Sequence, residues 1–172
     1  LVDRGLPEEW MSMTLAEAIA LLAAGNPPSP EAGFLGVDVA VQDAALVLLG
    51  VPWEATTSYG GGTATAPAAI VTASHQLDVQ DAAFGQFYRH GITMVDADAA
   101  IARANARARP LAKRHIEAVE QGGADVDALA EVNRLSAVVD VAVAAAAARH
   151  LDAGRAVGVV GGDHASPFGL MS

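Results

Sequence analysis

The chain is 172 residues long, 52% hydrophobic and 17% charged, which is one domain's worth of material with a sizeable core and excludes a disordered chain. A net charge of −10 argues against nucleic-acid binding, because phosphate contacts need clustered Lys and Arg. Without a single cysteine there is neither a disulfide framework nor a thiolate metal site.

The start, Leu1-Val2-Asp3-Arg4, shows no charged region followed by an apolar one, so no signal peptide is read and a cytoplasmic protein is expected. It does not begin with Met, so the chain is expected to be cut from something longer. Thr14 to Ala24 reads as a first helix, with Thr14 and Glu17 in the spacing of a capping box and Gly25-Asn26 as the stop. Pro27-Pro28-Ser29-Pro30 is a stiff connector that cannot continue a helix. Residues 1–33 are therefore expected to be an N-terminal extension leading into a main fold over 34–172.

Ala44 to Val51 is a continuous apolar run ended by Pro52, the pattern of a fully buried strand. Trp53 to Thr63 reads as a loop, and Pro67 to His75 as a helix opened near a proline in its first turn. Gly91 to Asp96 is a second, shorter strand. Ala99 to Gln121 is helical with an expected interruption at Pro110. The basic residues between Arg103 and Arg114 fall at helical spacing and read as a solvated face. Gly122-Gly123 breaks the helix, and Asp125 or Asp127 caps a long one running to about Leu151. Its apolar run Val141 to Ala148 is too short to span a bilayer. Ala156 to Gly161 is the third strand, and Ser166-Pro167 is expected to open another helix. Strands alternating with helices predict an α/β fold with a parallel sheet.

Few side chains in this frame suggest chemistry. Gly60-Gly61-Gly62 lacks the spacing of a dinucleotide loop and is equally a loop needing positive φ. Asp96 and Asp98 lie two apart on one face of an extended chain, as a cation or acid–base pair would require; one capping the next helix and the other solvated is the plainer reading. His75, His90, His115 and His150 show no metal-ligand spacing, and no serine sits in a G-x-S-x-G elbow. His164 stands apart: Gly161-Gly162-Asp163-His164 follows a buried strand, where open α/β sheets place their sites. Asp163 is a candidate to orient the His164 imidazole from behind. A tight strand-to-helix turn with a capping Asp is the rival.

Two segments together resemble the ureohydrolases, the family of arginase, agmatinase, formimidoylglutamase and guanidinase. Trp53 to Ser74, in particular Thr57-Ser58-Tyr59-Gly60-Gly61-Gly62-Thr63 followed by Ala66-Pro67-Ala68-Ala69-Ile70 and Ala73-Ser74, is similar to the family's S-x-R-x-G-T…G-P-x-x-I stretch after its first strand. Val159 to His164 is similar to its G-G-D-H-S strand end, with Ala165 in place of the serine. The resemblance covers most of residues 34–172. It implies a three-layer α/β/α fold with a mainly parallel sheet, here cut after the third strand. It also implies a binuclear Mn2+ site, Ni2+ in some members, whose bridging hydroxide attacks a guanidinium carbon to give urea and an amine. Only His164 maps onto a family metal ligand, with Asp163 beside it; no catalytic residue and no substrate contact is assigned. The family's later Asp-x-His-x-Asp and Ser-x-Asp-x-Asp segments do not occur in these residues, and Asp96-Ala97-Asp98 does not replace them. Gly60-Gly61 stands where Arg-Pro is more usual, which resembles the agmatinase and guanidinase side of the family.

The expectation is thus the N-terminal half of an agmatinase-like enzyme acting on a small guanidino substrate, inactive alone. A parallel sheet cut short has an exposed apolar edge, so a homo-oligomer or a complementing second chain is expected, with neither nucleic acid nor membrane as partner. The rivals are a non-catalytic ureohydrolase-like subunit and a small α/β binding module with a fortuitous turn. The last of these would leave the Thr57–Thr63 loop away from His164.

Overall fold

A computed structural model describes residues 14–25, 31–57 and 60–172. The Pro27–Pro30 connector and the Ser58-Tyr59 pair of the loop lie outside the described residues. Three strands form one sheet in the order β2-β1-β3, where β1 is Leu46–Val51, β2 is Ile92–Asp96 and β3 is Ala156–Gly161. Central β1 is apolar throughout: Val47, Leu49 and Val51, on one face, are each 0% exposed, and Leu46 and Leu48, on the other, are half-buried.

The register is parallel throughout. Leu46 N–H donates to the Gly91 carbonyl at the start of β1, and Ala97 N–H donates to the Gly50 carbonyl at its end. On the other side, Ala156 N–H donates to the Ala45 carbonyl at 2.8 Å. All three strands therefore end at one edge. Parallel neighbours need helical crossovers, and helices cover both faces of the sheet, the α/β class expected from the alternation. No helix among the described residues is long and apolar enough to cross a membrane.

By compactness the chain divides into two units. The first holds the described residues up to Leu48, with Ala68–Val95 and His150–Gly158. It contains α1 (Leu15–Ala23), which starts at the expected capping box: Thr14 N–H donates to the Glu17 carboxylate at 2.8 Å, and Glu17 N–H donates back to Thr14 Oγ1. Gly25 at φ +65° ends it. Most of α2 (Ala66–Ser74) also belongs here. Its terminal Ser74 hydroxyl accepts from Leu35 N–H at 2.8 Å, and His75 Nε2 lies 2.9 Å from the Gly33 carbonyl. Those bonds hold a backbone that is locally irregular, with Leu35 itself at φ +61°.

The second unit comprises Leu49–Pro67, Asp96–Arg149 and Val159–Ser172. Its frame is α3 (Ala99–Glu120) and α4 (Val126–Leu151). Asp98 caps α3 by accepting from Ala100 N–H, and Asp125 caps α4 by accepting from Ala128 N–H. α3 buries a stripe of Ile101, Ala104, Ala108 and Ala112; the three alanines, three, seven and eleven residues after Ile101, allow close approach. Arg107 pairs with Glu131 at 2.8 Å, and Arg114 with Asp125 at 2.6 Å, tying the two helices side by side.

One local expectation needs correction. α3 runs through Pro110 without interruption. The proline is exposed, and so is Ala106, whose carbonyl loses its helical donor, so water can serve that group and the cost stays near the ~3 kcal/mol of a helix proline. The helix expected at Ser166-Pro167 does open, immediately after Pro167. The chain makes successive tight turns from Asp163 to Pro167, and only the short α5 (Phe168–Met171) follows, without a side-chain cap. Ser166 is buried against Gly161, where any Cβ would overlap the serine side chain.

Candidate functional site

The site is built where β1 and β3 end, wholly within the second unit. After Gly161 the chain bends at Gly162, which lies against the backbone following β1. A Cβ there would overlap the Trp53 carbonyl oxygen and come within 3.0 Å of the Ala64 nitrogen. Absence of a side chain is thus what lets the end of β3 and the loop after β1 meet backbone to backbone.

Asp163 then fastens the two segments. One carboxylate oxygen accepts from Thr56 Oγ1 at 2.8 Å and from Thr56 N–H at 3.3 Å. The other accepts from Ala165 N–H at 3.0 Å, the side-chain turn by which Asp initiates a reversal. No hydrogen bond joins Asp163 to the His164 ring among the described residues; it supports His164 through the turn that carries it. His164 is exposed at the rim of the edge, with both ring nitrogens unengaged by the described residues. The loop and the strand end that carry the family resemblance are therefore adjacent, which the fortuitous-turn reading did not expect.

A second carboxylate, not singled out in the sequence, shapes the loop. Glu54 accepts from Gly62 N–H at 2.6 Å, from Ala64 N–H at 3.0 Å and from Thr63 Oγ1 at 3.3 Å. Its own N–H donates to Asn105 Oδ1 of α3 at 2.8 Å. The Ala64 N–H holds the Glu54 carboxyl below its ordinary range against the opposing effect of burial; Gly62, Thr63 and the Arg109 charge act in the same direction as Ala64. A carboxyl with a depressed folded pKa contributes stability above its unfolded pKa of about 4.3, and that contribution disappears as pH falls through the folded value. Acid should therefore loosen this loop, and Glu54→Gln should flatten the dependence of stability on pH in that acid range. Equilibrium unfolding across pH checks this; an unchanged acid limb in the variant would contradict it.

Arg109 is the other residue the sequence did not single out. Helical spacing groups it with a solvated basic face, and Arg107, Lys113 and Arg114 do lie on the exposed surface. Arg109 instead is half-buried, and its guanidinium donates to the Thr57 carbonyl at 3.0 Å and the Gly60 carbonyl at 3.1 Å. One signal was available: Asn105 and Arg109 are four apart, on the helix face beside the buried alanine stripe.

The remaining candidates have structural roles or stand elsewhere, apart from Asp96, which ends β2 at the same sheet edge. Gly60 and Gly62 adopt φ of +71° and +108°, so the glycine run answers a backbone need. Asp98 is a helix cap, and Asp96 is exposed at the end of β2. His115 Nδ1 lies 2.9 Å from the Asp125 carbonyl, and His150 lies in the last turn of α4. Among the described residues no group of three His, Cys, Asp or Glu is placed to hold a metal ion. The edge thus fits one donor of a metal centre, an accessible imidazole suited to manganese, nickel or zinc, and does not by itself fit a binuclear one.

Comparison with known proteins agrees with this architecture. Searches of curated proteins and of solved structures returned no match. The family model described as the arginase family matches residues 44–172. That match opens two residues before β1, takes in all three strands and the turn bearing His164, and spans most of the sequence: the chain belongs to the arginase family.

Proposed function

We propose that this chain supplies the N-terminal part of a manganese-dependent ureohydrolase, agmatinase-like, that hydrolyses a small guanidino compound to urea and an amine. The remaining metal ligands and the substrate contacts come from outside these 172 residues, from further chain, a second polypeptide or another copy. The observation that carries the reading is the joining of the two family segments by Asp163 and Thr56 beside an accessible His164.

A guanidinium carbon is a poor electrophile, and its hydrolysis needs a strong nucleophile at neutral pH; a pair of divalent cations supplies that chemistry when bound. The residues of this chain hold and orient. His164 offers a ring nitrogen at the strand edge, and Asp163 sets the turn beneath it. Gly162 brings the loop close, while Glu54 gathers the loop's N–H groups. On this reading the protein acts in the cytosol, and its substrate is a free metabolite bearing the guanidino group.

The test is urea release by the complete, Mn2+-loaded protein from agmatine and a panel of other guanidino compounds. Urea from agmatine, abolished by a chelator and restored by Mn2+, is the expected result, with the 172 residues alone releasing none. A metal-loaded, folded protein that releases urea from no member of the panel would contradict the reading and leave the non-catalytic subunit in its place.

A further inference from the structure

Among its described residues, the loop between β1 and α2 has almost no buried apolar side chain past Ala55. Its shape is set by charge. On one side the carbonyls of Thr57 and Gly60 converge on the Arg109 guanidinium, with the Ala55 carbonyl further off at 3.5 Å. On the other, the Gly62 and Ala64 N–H groups and the Thr63 hydroxyl converge on the Glu54 carboxylate. Gly61 lies between them: a Cβ there would sit 3.6 Å from Glu54 Oε1 and 3.7 Å from Arg109 Nη2. A cation thus collects the loop's acceptors, an anion collects its donors, and both act inside one turn of chain.

Converging carbonyl dipoles repel unless a cation lies between them. The planar fork of an arginine can donate to two carbonyls at once, whereas the single ammonium of a lysine cannot span them in the same geometry. Arg109 is anchored on α3, a rigid 22-residue helix, and Asn105 one turn earlier holds the Glu54 backbone. The helix therefore fixes the loop, and the loop's Thr56 fixes the Asp163 carboxylate, whose turn carries His164. Arg109 touches none of the residues of that turn directly.

We propose that Arg109 is a positioning residue: by binding the Thr57 and Gly60 carbonyls opposite Glu54, it sets the loop that holds the Asp163–His164 turn in its working place. The catalytic half of this proposal rests on the ureohydrolase reading; the loop-holding half does not. A purely structural role would lower stability and leave turnover by the folded fraction unchanged. A positioning role changes the site in protein that stays folded, because small misplacements of reacting groups cost rate steeply.

The experiment uses the complete protein with Mn2+, comparing wild type with Arg109→Met and Arg109→Lys. Hydrogen exchange is followed over residues 54–65, and kcat and KM are measured separately for urea release. Arg109→Met should speed exchange in that segment roughly tenfold, with β1 and β3 as protected as before. It should also lower kcat/KM by about tenfold in folded protein, with Arg109→Lys recovering part of both. Unchanged exchange over 54–65 in both variants would overturn the proposal outright. Faster exchange with unchanged kcat/KM would overturn the positioning role. No urea from the wild type, with the exchange effect present, would overturn the ureohydrolase reading and the catalytic half together while upholding the loop-holding half.

Discussion

Replacing Gly162 with Ala should destabilise the protein by about 3 kcal/mol, the upper part of the range for overpacking a closed interior. The reason lies in what the new methyl group would meet. Its neighbours are the Trp53 carbonyl oxygen, the Ala64 nitrogen and the Thr63 carbonyl carbon, all backbone, so no side chain can swing aside. Trp53 is 0% exposed and the Gly62–Ala64 segment is bonded to Glu54; relief therefore means separating β3 from the loop. That separation would also pull Thr56 from Asp163. Gly123→Ala is the control, since its nearest neighbour is the Ala118 carbonyl oxygen at an ordinary 3.5 Å, and its effect should stay within roughly 0.5 kcal/mol. Urea unfolding of the two variants checks this, and equal stability would show that the backbone contact at Gly162 is not a constraint.

His164→Ala should do the opposite: little to stability and much to metal affinity. The ring is exposed and makes no hydrogen bond with the described residues, so its removal leaves no buried group unpaired and should cost no more than about 0.5 kcal/mol. Manganese binding by the complete protein should weaken by more than about tenfold, since a lost ligand costs at least what a lost supporting contact does. Competition with a metal-sensitive dye measures both variants under one condition. Unchanged affinity would remove His164 from the ligand set and leave the Asp163 turn as a structural feature only.

The comparison of sequence with fold separates local from distant information. The capping box at Thr14 and Glu17, the buried run of β1 and the bounds of β3 at Ala156 and Gly161 are all written in contiguous residues, and the structure reproduces them. The interruption expected at Pro110 did not occur, because a helix held by its buried alanine stripe outweighs a local cost on its exposed side. The helix expected at Ser166-Pro167 is there as the short α5, and the tight turns before it accompany the contact of Ser166 with Gly161, five residues away but on another element.

The site was legible at its conspicuous end only. His164 stood out because it follows an apolar strand and a glycine pair. Glu54 and Arg109 did not, since the partners that give them meaning are distributed over loop and helix. A glutamate after a strand and an arginine in a basic run look solvated until Thr57, Gly60 and Gly62 are folded against them. Asp163 lies between these cases. A role beside His164 was readable, but its bonding partner Thr56 lies 107 residues away.

As proposed above, the edge formed by β1 and β3 binds metal, with His164 as a donor. Anomalous diffraction from crystals of the complete, manganese-loaded protein tests it most directly. An anomalous peak is expected at coordination distance from a His164 ring nitrogen, with Asp163 still bonded to Thr56. Manganese bound elsewhere, with the His164 ring free in solvent, would contradict it.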